Sequence, residues 1–199
     1  MTEEAIETRV AVQADGTVLV GRLFHDEDSF DYNWMDGDSF REFTTEWDRD
    51  AYIEELKDEG VDPRRIFIVD KYDHSAVHYS VANTAPYPDR RWDVAPSGVL
   101  VVDRDGEYGW PLDGYTTNDG VHHSAVDNAN ALLDDYSNWC NGDVYGIVIS
   151  QYPTIAHYET AEDDGNEGDV IETCWGYIGF DYAVEELEAQ IKQPEEATA

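Results

Sequence analysis

Two unbroken apolar tetrads stand out along the chain, Ile66–Val69 between Arg65 and Asp70, and Val99–Val102 running from Gly98 into Asp103. Neither alternates with period two, so the pattern predicts strands covered on both faces. Tyr79 and Val81 do alternate with His78 and Ser80, which predicts a partner strand with one open face. Residues 7–24 read as a hairpin, with Val10 and Val12 on one arm, Asp15-Gly16 at the turn and Val18-Leu19-Val20 returning. Val144–Ile149 predicts another buried strand and Val170–Tyr177 its partner, with an acidic tip at 162–168 between them.

Three stretches carry helical spacing. Residues 48–60 place Tyr52, Ile53 and Leu56 on one stripe, with Asp48 or Asp50 as the cap and Gly60 as the stop. Residues 122–139 align Ala125, Ala129, Leu132, Leu133 and Tyr136, with His122-His123 at the helix start. Residues 181–192 turn Val184, Leu187 and Ile191 inward. The fold class expected is α+β: a mixed or antiparallel sheet with about three helices packed on it. A single domain spans 1–192 in this reading, and 193–199 form a disordered tail with nothing to bury. The polar, aromatic segment from His25 to Trp47 (Phe30, Tyr32, Trp34, Phe40, Phe43, Trp47) reads as a long loop anchored by its rings.

Charge changes this ordinary picture. The chain of 199 residues has 45 Asp and Glu against 12 Lys and Arg, a net charge of -33. Only Lys57, Lys71 and Lys192 represent lysine. Acids occur in every part of the chain, which fits a surface adapted to a salt-rich cytoplasm, where a Debye length of about 3 Å at 1 M screens the self-repulsion. The competing reading is imitation of a nucleic-acid backbone, a DNA mimic that inhibits a restriction or defence protein. Direct binding to DNA or an anionic membrane is not expected, because phosphate contact needs a cationic surface. No apolar run approaches the length of a membrane span and no apolar leader follows the start, so a soluble cytoplasmic protein of a high-salt host cell is expected. Cys140 and Cys174, each beside Trp, are expected to be buried free thiols.

The densest set of polar groups lies between the two tetrads, where Pro86, Pro88 and Pro96 mark a loop at the end of the sheet. Tyr72, Asp73, His74, Ser75, His78, Trp92 and Asp93 are the candidate binding residues. Asp73-His74-Ser75 has the residue types of a hydrolytic triad, but neighbours on an extended chain point to opposite faces. His74 and His78 with Asp73 or Asp93 would make a His/His/Asp metal set, the basis of a metal-dependent hydrolase as a second alternative. Nothing in the spacing singles that set out, so no catalytic residue, metal ligand or cofactor is assigned. The acidic tip does not fit a calcium-binding loop, and Gly-rich phosphate loops, G-x-S-x-G elbows, C-x-x-C pairs and H-E-x-x-H are absent from the sequence.

Tyr72-Asp73-His74-Ser75, Trp92-Asp93 with Ser97-Gly98, Gly142-Asp143-Val144-Tyr145-Gly146 and Cys174-Trp175-Gly176-Tyr177 together resemble a family of small proteins of bacteriophages, archaeal viruses and conjugative elements. Its pattern runs Y-D-H-S-G, P-W-D-S-G, G-D-V-Y-G, S-C-W-G-F-Y-G, over about residues 64–190 here. The chain departs from it at Ala76, at Val94-Ala95-Pro96 before Ser97, at Thr173 and at Ile178. The resemblance implies origin in a mobile element and supplies no activity. Together with the charge, it gives the expected function: a non-enzymatic accessory protein of a haloarchaeal virus or mobile element. Its partner would be a host or viral protein.

Overall fold

The computed structural model describes residues 4–28, 35, 39–88, 90–164 and 168–192. Phe30, Tyr32, Trp34, part of the acidic tip and the tail at 193–199 lie outside the described residues. The strands and helices, in chain order, begin with β1 (Glu7–Val12), β2 (Val18–His25), β3 (Phe40–Glu42), α1 (Glu46–Asp58), β4 (Ile66–His74) and β5 (Ala76–Val81). They continue with α2 (Arg90–Asp93), β6 (Val94–Val101), β7 (Tyr115–Thr116), β8 (His122–His123) and α3 (Ala125–Cys140). The last are β9 (Val144–Tyr152), α4 (Ile155–Asp164), β10 (Asp169–Ile178) and α5 (Phe180–Ile191). The fold is α+β with antiparallel sheets, and five helices stand among the described residues where about three were expected. None of them is long and apolar enough to cross a membrane.

The chain divides into two compact units, Tyr32–Asn141 in the middle and Met1–Asp31 with Gly142–Ala199 from the two ends. The middle unit holds a four-stranded sheet in the order β3-β6-β4-β5. Alternation along β6 sends Leu100, with Val102 just beyond the strand, into one cluster with Phe67, Val69, Tyr79 and the α3 residues Ala129, Leu133 and Tyr136. Val99 and Val101 enter another, with Leu56 of α1 and Val61. Both faces of the tetrads are therefore covered, which is why their sequence does not alternate.

Several boundaries differ from the sequence reading, each for a local reason. Thr45 caps α1, its Oγ1 accepting from the Asp48 N–H at 3.1 Å, so the helix begins two residues before Asp48. His122-His123 is a short strand rather than a helix start. It pairs with Tyr115-Thr116, and Ser124 then caps α3 in a reciprocal capping box with Asp127. The strand β6 begins before Pro96, and the ladder with β4 skips from Val69↔Gly98 to Lys71↔Ala95. That irregularity accommodates a residue that cannot donate to the ladder.

The unit built from the chain ends has a sheet in the order β1-β2-β9-β10. Ala183, Leu187 and Ile191 of α5 pack on Leu23, Tyr145, Ile147 and Ile149. The hairpin β1–β2 forms as expected, but Val10 and Val12 take its exposed positions. Arg9 takes the α5 side instead, with its Nε donating to Glu188 Oε1 at 3.3 Å. Between β9 and β10 the chain makes the helix α4, whose Ala161 and Tyr158 rest on Val18, Val20 and Tyr152. The residues read as a bare hairpin tip thus begin as the last turn of this helix.

Candidate functional site

The antiparallel register of β4 and β5 sets Tyr72 opposite His78 and His74 opposite Ala76, and the chain reverses at Ser75 with φ of 65°. Alternation then places Tyr72, His74 and His78 on one face of the hairpin. Their rings stand nearly parallel: Tyr72 to His74 is 6.1 Å between centroids at 14°, and Tyr72 to His78 is 6.4 Å at 28°. Tyr87, between Pro86 and Pro88, stacks on Tyr72 at 4.9 Å and 7°. On the other side Tyr72 pairs with Val94, the first residue of β6, directly after α2. That short helix carries Trp92, 78% exposed, with the Arg91 guanidinium 5.1 Å from its ring centre, and the half-buried Asp93.

Asp73 alternates to the opposite face from Tyr72 and His74. Lys71, on that same opposite face, has its Nζ 3.1 Å from Glu42 Oε1 and 5.5 Å from the Tyr79 ring centre. The Tyr79 hydroxyl also donates to Glu42, at 3.3 Å. Burial first, and the Glu42 charge second, push the Tyr79 hydroxyl far above the ordinary phenol range. A relay through Asp73, His74 and Ser75 has no shared face to work on. The His74, His78 and Asp73 metal set fails for the same reason. Among the described residues, no three His, Cys, Asp or Glu side chains are grouped to hold a metal ion.

One step further along the same face, Asp70 stands opposite Ser80. Asp70 is buried, and its Oδ2 accepts from the Asn83 N–H at 2.9 Å. Ser80 is buried too, and its Oγ has no hydrogen-bond partner. A cleft of about 360 Å³ opens over Asp70, with Glu46, Arg49, Asn83 and Val94 around it. Arg49 is buried and its Nη2 lies 2.7 Å from Asp50 Oδ1. The arrangement is thus a row of aromatic and imidazole rings beside a polar cleft with a buried carboxylate and a buried guanidinium. Such a surface can stack and hydrogen-bond a partner, and no nucleophile–base pair is assembled on it.

Sequence reasoning missed Tyr87, Asp70 and Arg49. A tyrosine between two prolines was a signal for Tyr87, since a stiff loop holds its ring in place. Asp70 shares the parity of Tyr72 and His74, so its face was readable, although its cleft was not. Arg49 comes from a helix about twenty residues earlier and left no local sign.

The other motif residues meet in the unit of the chain ends, where Gly146 faces Trp175 and Tyr145 faces Tyr177. The Trp175 ring lies on Gly146 so closely that an added Cβ would run into it. A cleft of about 400 Å³ lies between Trp175 and His25, Asp26, Glu27 and Asp28. Gln190 Nε2 donates to the Tyr177 hydroxyl at 2.8 Å, and burial pushes that hydroxyl up to about 12. Cys174 corrects the expectation of a buried thiol: it is exposed, in the stretch 169–176 of the edge strand β10 whose residues are all exposed. Cys140 is half-buried, and burial raises its thiol above the ordinary range, which disfavours the reactive thiolate. No family model, no curated protein and no solved structure matches the chain.

Proposed function

We propose that this protein is a non-enzymatic accessory factor of a virus or mobile element of a salt-loving archaeon, acting by binding a host or viral protein. The observation that carries the reading is the convergence of Tyr72, Tyr87, His74 and His78 on one face, beside the exposed Trp92. Rings held by a sheet offer large contact area with little rotamer entropy to lose, the property that enriches Tyr and Trp at protein interfaces. The motif likeness to proteins of mobile elements supports the origin. A net charge of -33 supports both the salt-rich cytoplasm and a protein, rather than a nucleic acid, as partner.

The test is capture from a host lysate in molar KCl with three forms of the full chain. These are wild type, the double variant Tyr72→Ala with Trp92→Ala, and Glu185→Ala on the exposed side of α5 as control. A protein retained by wild type and control but lost with the double variant, whose circular dichroism stays native, is the expected result. Equal retention by all three forms, or by none, overturns the reading.

A further inference from the structure

Among the described residues β10 has a strand on one side alone, β9, and its other edge is free. Every residue from Asp169 to Gly176 is exposed, and Val170, Ile171 and Trp175 are each half exposed or more. A free edge presents unpaired N–H and C=O groups to any other strand, and folded proteins blunt such edges with Lys, Pro or inward charge. Residues 170–178 contain neither Lys nor Pro. Glu172 is their one charged side chain, in a chain where 45 of 199 residues are acidic. Charge is thus thinned out along this edge, as it is at the centres of protein interfaces.

A stretch with so little charge does not select a basic peptide. It is where a second copy of a chain of net charge -33 meets the least repulsion. The strand also fits itself. We propose that two copies pair their β10 strands antiparallel about a two-fold axis through Thr173, joining two sheets into one. In that register Thr173 meets its own copy, a favourable cross-strand pair, and Glu172 stands opposite Cys174 rather than the other Glu172. The ladder to β9 is regular from Glu172 to Trp175, between irregularities at Val170/Glu172 and Trp175/Tyr177, so the central pairs fall on undistorted strand. One strand pair is smaller than a standard interface of about 800 Å² per partner, so the dimer is weak and depends on salt to screen the two chains. This contact is independent of the Tyr72 face and of its protein partner.

The test is sedimentation equilibrium of the full chain in molar KCl, with wild type, Thr173→Asp and Val12→Asp, the last on the opposite edge strand β1. A closed monomer–dimer equilibrium is expected for wild type and Val12→Asp. Thr173→Asp sets two carboxylates against each other at the two-fold axis and is expected to weaken the dimer about 5-fold or more. On wild type, a short bis-maleimide is expected to link two chains through Cys174, which this register sets diagonally across from its copy at about 7–8 Å. That link should vanish in Cys174→Ser and persist in Cys140→Ser, and it is read whether or not Thr173→Asp folds. A wild type that stays monomeric overturns the proposal, as do open-ended polymers, which β10 laid on the β1 of the next copy would give. So do a dimer that Thr173→Asp leaves intact, one that Val12→Asp abolishes, or one that Cys174 does not link.

Discussion

The backbone N–H of Tyr79 donates to the hydroxyl of Ser137, 2.8 Å away in a buried position. Two more contacts repeat the device along the free edge of β5: the Val77 N–H donates to Asn141 Oδ1 at 2.9 Å, and the Val81 N–H to Asn130 Oδ1 at 2.8 Å. Positions 130, 137 and 141 lie on one stripe of α3 and at its C-terminal cap, so the helix closes a strand edge with side chains where another strand would use its backbone. The same strand presents His78 on its other side, beside Tyr72. The ring face is therefore built on a hairpin fixed along both of its long sides, by β6 and by α3.

Ser137→Ala tests that closure. It leaves the buried Tyr79 N–H without an acceptor, at a cost of about 1–3 kcal/mol, whereas Ser→Ala at an exposed helix position changes little. Thermal or denaturant unfolding of the two variants in molar KCl checks the difference. Hydrogen exchange at Tyr79 is expected to speed up in Ser137→Ala.

Salt should be required for the compact state. With a net charge of -33, the melting temperature is expected to climb steeply as KCl rises from about 0.1 M to 1 M and the Debye length falls from about 10 Å to 3 Å. Calorimetry across that range reads it directly. A melting temperature that does not change with salt would remove the brine adaptation from the account.

Asp103 gives a pH dependence with a defined sign. The N–H groups of Tyr108 and Trp110, with the Arg65 guanidinium, hold its carboxyl down to about 2. A carboxyl depressed in the folded state stabilises above its unfolded value of about 4, and that contribution is lost as pH falls toward 2. Asp103→Asn, which tolerates the positive φ of 45° at this position, should therefore melt below wild type at about pH 7. The gap between the two should narrow below about pH 4 and close near 2. A gap that stays constant with pH would mean that the charge of Asp103 contributes nothing.

Much of the fold was legible because its strongest elements are locally consistent. The tetrads gave β4 and β6, and the 3.6-residue spacing of Leu133 with Tyr136 and of Leu187 with Ile191 gave α3 and α5. What the sequence hid depends on contacts between distant segments. Val10 and Val12 point outward while Ala11 between them packs on the α5 cluster, with Arg9 meeting Glu188 on that same side. The helix α4 buries little more than Ala161 and Tyr158, too short a stripe to read. Of the residues the sequence singles out, Tyr72, His74 and His78 share a face, and Trp92 and Asp93 lie on the adjoining α2. Asp73, singled out with them, faces away, and Tyr87, Asp70 and Arg49 reach the face only through folding.

The most direct test of the binding face is hydrogen exchange on the captured complex, compared with the free protein in the same molar salt. Slowed exchange is expected at Tyr72–His78, around Tyr87 and through Arg91–Asp93, with β1 and α5 unchanged. Protection that falls on α5 or β10 and spares the β4–β5 hairpin would contradict the account.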